Sequence, residues 1–189
     1  MKKLVLIGGG GHCISVIDAI ELQNEYTIHG ILDDNKIGEN ILGYPVIGND
    51  SMIEALHNEG CFFLITVGQI KSAAARMHLA NALAHAHIAT IISPKAYVSK
   101  HSVIQVGTVV LSGVTVNAGA HIGKHCIINT QANIEHGVII ENFCHISTGA
   151  MVNGDCVIKQ GSFIGSNATL VQGKIIEANS VISAGQFIK

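Results

Sequence analysis

The chain has 189 residues, 48% of them hydrophobic, with 11 Lys and Arg against 13 Asp and Glu for a formal net charge of −2. That balance lacks the basic surplus of a nucleic-acid binder, and no secretory signal or apolar run of membrane-spanning length is evident. The expectation is a cytoplasmic protein with neither nucleic acid nor membrane among its partners.

Lys3 to Ile7 reads as a short apolar strand running into Gly8-Gly9-Gly10-Gly11-His12, followed by a helix from Cys13 to Gln23. Tyr26 to Leu32 reads as a second strand ending at Asp33-Asp34, and Ser51 to Asn58 as a helix. Cys61 to Val67 is a third strand, Ala73 to His85 a helix, and Ile88 to Ser93 one more strand before Pro94. Such alternation predicts a small parallel sheet with helices on its faces, a Rossmann-like α/β domain over residues 1–92.

From Ala96 onward the grammar changes. Every sixth residue is aliphatic, from Val98, Ile104 and Val110 through Ile134, Ile140 and Ile146 to Ile182 and Ile188. Two places before each stands a mostly small residue, and three before it Gly is commonest. A period of six excludes an amphipathic helix, whose apolar stripe recurs at 3.6, and fits short strands joined by corners: residues 93–189 coil as a parallel β-helix. Of the five cysteines, Cys126, Cys144 and Cys156 occupy the small inward position, so they read as buried, reduced packing residues.

A glycine turn after a first strand aims backbone N–H groups and a helix N-terminus at an arriving anion. Gly8 and Gly10 supply the first two glycines of Gly-x-Gly-x-x-Gly, but Cys13 stands at the third, which disfavours a dinucleotide. Asp33 or Asp34 either accepts from a ribose hydroxyl or base N–H of a nucleotide, or forms a solvated turn.

The hexads resemble the hexapeptide-repeat proteins, which implies a left-handed coil with three hexads per turn. Val98, Val116, Ile134, Val152, Leu170 and Ile188 would then form one inward ladder. The Gly8–His12 turn, the Asp33-Asp34 pair, Gly68 with Arg76, Asn129-Thr130, Ile134-Glu135-His136 and His145-Ile146-Ser147-Thr148-Gly149 together resemble the NeuD/PglD-type sugar acyltransferases. That resemblance implies acetyl transfer from acetyl-CoA to a sugar, in a homotrimer whose active sites lie between neighbouring coils, with no metal. His136 would be the general base. Glu135 would orient it, a role open also to Glu141 or a backbone carbonyl, since Gly137 stands where some relatives carry an acid. Gly10, His12, Asp33, Asp34 and Asn129 would contact the acceptor, while His145 would lie near acetyl-CoA and Gly154 would offer its N–H to the thioester carbonyl. The acceptor is expected to be a nucleotide-linked amino sugar, with O-acetylation of a sialic or legionaminic type acid as the alternative within the family.

Two further readings stand apart from that chemistry. Zinc in the manner of the gamma-class carbonic anhydrases needs three converging imidazoles; His121 and His125 are near each other, but His85 lies before the repeat. A non-catalytic trimeric scaffold is the other. It is suggested by Gly185 to Lys189, which stay in hexad register where relatives carry a covering tail, and a last coil without one is expected to be the least protected.

Overall fold

The computed structural model describes residues 1–189. Strand β1 (Lys2–Ile7), β2 (Tyr26–Leu32), β3 (Asn40–Ile41), β4 (Tyr44–Gly48), β5 (Phe62–Ile65) and β6 (His87–Ile88) form one sheet in the order β3-β4-β2-β1-β5-β6. All neighbours are parallel except the β3–β4 hairpin. Helix α1 (Gly11–Gln23) follows β1, α2 (Ile53–Asn58) precedes β5, and α3 (Ala74–Ala82) follows it.

Three local features depart from the expected elements. The β3–β4 hairpin is additional; its turn residues Leu42 and Gly43 both have positive φ, and a leucine in that conformation hides the turn signal that Asn-Gly would give. Helix α1 begins at Gly11, two residues before the expected Cys13, because the poor helix propensity of glycine hides its first turn in the sequence. The expected strand from Ile88 to Ser93 is two: His87–Ile88 pairs with β5, whereas Ile91–Ile92 pairs with Val109–Val110 in the coil.

The coil is a left-handed β-helix of three parallel sheets. Partners are one coil apart, Val98 to Val116 to Ile134 to Val152 to Leu170 to Ile188 among them, as the ladder requires. From Val110 to Leu170 the inward aliphatics are completely buried, each contributing roughly 1.5–3 kcal/mol on transfer from water. Cys126, Cys144 and Cys156 sit unpaired in this core, each thiol directed at a carbonyl of the next coil.

The corners have their own rule. The residue three before each inward aliphatic takes positive φ, from Gly107 to Gly185 without a break. Side chains at this position lie over a glycine in the preceding coil, as His125 does over Gly107, Asp155 over Gly137 and Asn167 over Gly149. Glycine there serves twice, for its φ and for the space above it.

Helix α1 joins the two architectures. Its buried face, Cys13, Val16, Ile17 and Ile20, packs in one cluster with Leu4, Leu6 and Ile31 of the sheet and with Ile91, Val109 and Leu111 on the outside of the first coils.

Candidate functional site

Residues from both architectures converge on a pocket of about 630 Å³ at their junction. The floor begins at β1. Its chain turns at Gly8, whose φ of 101° and close approach to Val67 leave no room for a side chain. Asp33 then braces the turn: Oδ2 accepts the Gly9 N–H at 2.8 Å, Oδ1 accepts the Asn35 N–H at 3.0 Å, and Lys36 Nζ donates to the Gly9 carbonyl at 2.8 Å. Both Asp33 oxygens are thus engaged within the protein, whereas Asp34 is exposed beside Asp50 on a hollow of about 170 Å³ at the ends of β1 and β2. Gly10 caps α1 with ordinary φ, and beyond the adjoining residues and the helix's own backbone nothing lies within 4 Å of where a Cβ would stand at Gly10 or Gly11. The fold demands no glycine at either place. Their smallness leaves the helix N-terminus, and its unpaired N–H groups, open to a ligand.

His12, Gly68, Gln69, Asn129, Thr130 and His145 line the pocket. Gln69 ties the junction, donating through Nε2 to the carbonyls of Phe143 and Gly161 at 3.0 and 3.1 Å, while its own carbonyl lies 2.6 Å from His145 Nδ1. A carbonyl only accepts, so His145 carries its proton on Nδ1 and turns the lone pair of Nε2 toward Asn129 Nδ2, 3.2 Å away. Arg76 on α3 is 1% exposed and has no carboxylate partner; it donates to Gln69 Oε1 at 3.2 Å and to the His125 carbonyl at 2.7 Å. Burial lowers its pKa to about 10. Burial likewise holds His145 down to about 4, assisted by Arg76 and opposed by the Gln69 hydrogen bond. His12 falls to about 3 through burial, then the charges of His145 and Arg76. Both rings are neutral at pH 7. His12 Nε2 has no protein partner, and no acidic residue lines the pocket.

A second group gathers at the next corner of the coil. His136 follows the strand Asn133–Ile134, and its ring rests on Gly154 one coil later; a Cβ on Gly154 would stand 2.7 Å from Nε2. The expected base therefore lies directly over the glycine whose N–H is expected to meet the thioester oxygen, and that N–H donates to no protein acceptor. Glu135 is engaged elsewhere, accepting from Asn133 and Asn117 at 3.0 Å each, bonds that hold its pKa low. Glu141 accepts the Gln160 N–H at 2.8 Å. The acid facing His136 is Asp155, with 4.0 Å between Oδ1 and Nδ1. Asp155 is remote from His136 in sequence, and the one sign of their approach is its place one coil after Gly137.

His12, Asn129 and His145 thus meet in the junction pocket, and His136 and Gly154 meet at the corner, while Asp34 lies apart from both. No three His, Cys, Asp or Glu side chains are arranged to hold a metal ion. His121 pairs with Gln105 at 2.9 Å and His125 stacks on Phe143.

Residues 3–83 match the PglD N-terminal domain family. The whole chain is similar in structure to the acetyltransferase domain of PglB from Neisseria gonorrhoeae, with 31% identity over 98% of this chain and 90% of that one and a TM-score of 0.91. The same domain in complex with acetyl coenzyme A matches over 100% of this chain and 91% of that one, at 30% identity and a TM-score of 0.92. A variant of perosamine N-acetyltransferase from Caulobacter crescentus, in complex with CoA and GDP-perosamine, is 26% identical over 97% of this chain and 91% of that one, with a TM-score of 0.71. An uncharacterized protein of Acanthamoeba polyphaga mimivirus is 34% identical over 118 residues; the match spans 62% of this chain but only 23% of that relative's length.

Proposed function

The chain belongs to the NeuD/PglD-type family of sugar acyltransferases, and from that membership we propose that it transfers the acetyl group of acetyl-CoA to the amine of a nucleotide-linked amino sugar, with His136 as general base. The observation that carries the reading is the seat of His136 on Gly154, which sets a proton acceptor over a free backbone donor. The amine nitrogen attacks the thioester carbonyl and gives its proton to His136 Nε2. Negative charge gathers on the former carbonyl oxygen, against the Gly154 N–H. One such donor supplies a few kcal/mol of transition-state stabilisation. Collapse breaks the carbon–sulfur bond, and His136 returns the proton to the departing thiolate, leaving an amide and free CoA.

The open N-terminus of α1 at Gly10 and Gly11 suits the phosphates of the acceptor, and the uncompensated charge of buried Arg76 adds to the attraction. Asp34 remains free to meet the nucleoside, whereas Asp33 acts through the turn that it braces. His12, Asn129 and His145 contribute polar groups at the junction. Within one chain these groups lie on a different corner of the prism from His136, because Asn129 and His136 follow strands of different sheets. A neighbouring copy would bring the two halves together, and three copies about the three-sided coil would complete three such sites, so we propose a homotrimer as the working form; a cytoplasmic location accords with acetyl-CoA as the donor.

The test is thiol release from acetyl-CoA with GDP-perosamine, a UDP-linked 4-amino sugar and a sialic acid offered separately. Release with an amino sugar supports the proposal. Release with the sialic acid alone moves the assignment to O-acetylation, and release with none, alongside an intact trimer, favours the scaffold.

A further inference from the structure

His136 needs a partner at Nδ1 if Nε2 is to carry the lone pair. The two acids nearest it in the sequence reading are both engaged: Glu135 by Asn117 and Asn133, Glu141 by the Gln160 N–H. Asp155 is placed otherwise. It is the corner residue one coil after Gly137, with φ of 59°, and its N–H donates to the His136 carbonyl at 3.0 Å. Because residue 137 is glycine, the carboxylate lies over its Cα, where any Cβ would collide with Oδ1. Oδ1 there comes within 4.0 Å of His136 Nδ1, and Gln172 Nε2 holds Oδ2 from the following coil at 3.1 Å.

We infer that Asp155 is the positioning acid of His136, delivered from the next coil into the space that Gly137 leaves vacant. The inference rests on the reading of His136 as the base. The carboxylate accepts the Nδ1 proton and so fixes the tautomer with Nε2 free. When the amine proton arrives at Nε2, the ionised carboxylate steadies the imidazolium without itself taking a proton, and the proton leaves again from Nε2 to the thiolate sulfur. A small side-chain rotation closes the 4.0 Å gap, and catalytic hydrogen bonds are commonly long before ligands bind. Glu135 and Asp155 are the charged groups about the ring, and only the second is turned to it.

Asp155→Asn tests this with little threat to the fold, because Asn tolerates the left-handed conformation. In the intact protein, with acetyl-CoA and either GDP-perosamine or a UDP-linked 4-amino sugar, kcat should fall about 10- to 100-fold, with KM for acetyl-CoA retained. Asp155→Glu should recover part of the loss. Nitrogen-15 NMR of the imidazole gives a reading independent of turnover: the parent should hold His136 as the Nδ1–H form, and Asp155→Asn should release it toward the Nε2–H form that a solvated histidine side chain prefers. Unchanged kcat and tautomer in Asp155→Asn would overturn the inference, as would an Nε2–H ring in the parent. Should the Asn variant not fold, Asp155→Gly removes the carboxylate at a position whose φ of 59° suits glycine, and an unaltered tautomer there overturns it equally. An active His136→Ala would instead remove the premise. An inactive His136→Ala beside a fully active Asp155→Asn removes this inference alone.

Discussion

Acid should loosen this protein at the junction between its domain and its coil, and the cause lies in neutral histidines: His12, held down to about 3, and the two more buried rings, His145 and His125. His145 and His125 are 7% and 9% exposed, and burial is the leading reason that each titrates at about 4 and not near 6.5. Between those values the unfolded chain binds a proton at each ring that the folded chain refuses. Unfolding therefore becomes easier as pH falls through that window, and the stabilisation is fully present above 6.5. A shift of this size is worth about 3 kcal/mol per ring; His145 and His125 alone give a slope of up to about 2.7 kcal/mol per pH unit, and His12 adds to it. Both rings neighbour Arg76, so their effects should not add completely. The loss is still a large part of the 5–15 kcal/mol typical of a folded domain. Urea denaturation from pH 7 to 4.5 measures it, and His145→Gln should reduce the slope by about one proton. A midpoint that stays level between pH 6.5 and 5 would refute the assignment of neutral buried rings.

Two comparisons probe the backbone. Gly8→Ala should destabilise the protein by at least about 1–2 kcal/mol, the cost of a left-handed residue, because Val67 also fills the space; Gly10→Ala, with no such neighbour, should spare the melting temperature and weaken binding of whichever nucleotide sugar supports turnover. Thermal melts with calorimetric titration separate the two, and equal loss of stability in both would contradict the reading of an open helix N-terminus. Gly107→Ala pairs a φ of 78° with the His125 ring directly above it, so it should lower the melting temperature by several degrees and loosen the Arg76 bond to the His125 carbonyl. An unchanged melt would show that the corner column yields freely.

Much of the coil was legible because one inward aliphatic per six residues repeats from Val98 to Ile188, and geometry does the rest once three hexads close a turn. Strand β2 was equally plain between its polar ends. The β3–β4 hairpin was not, since Leu42 occupies a conformation that turn chemistry assigns to Asn or Gly. Nor does an apolar pattern reveal that Ile88 and Ile91 serve different sheets, because both are simply covered. The family motifs named His12, Asn129, His136, His145 and Gly154, and the fold gathers them into two groups. Asp155 stayed hidden because its approach to His136 depends on register across a coil and on a glycine's empty face. Arg76 entered only as part of the family resemblance and Gln69 not at all, because a charged or polar residue on or beside a helix carries no mark of burial in the sequence. Only the docked coil shows that both are buried.

Acetyl transfer at His136 is the central step. Parent protein and His136→Ala, each shown to be folded and to bind CoA, should be compared for thiol release from acetyl-CoA in the presence of GDP-perosamine and of a UDP-linked 4-amino sugar. The expected result is turnover with an amino sugar in the parent and a kcat about 10²- to 10⁴-fold lower in the variant, the range for loss of a general base. Near-parental turnover in His136→Ala would contradict it.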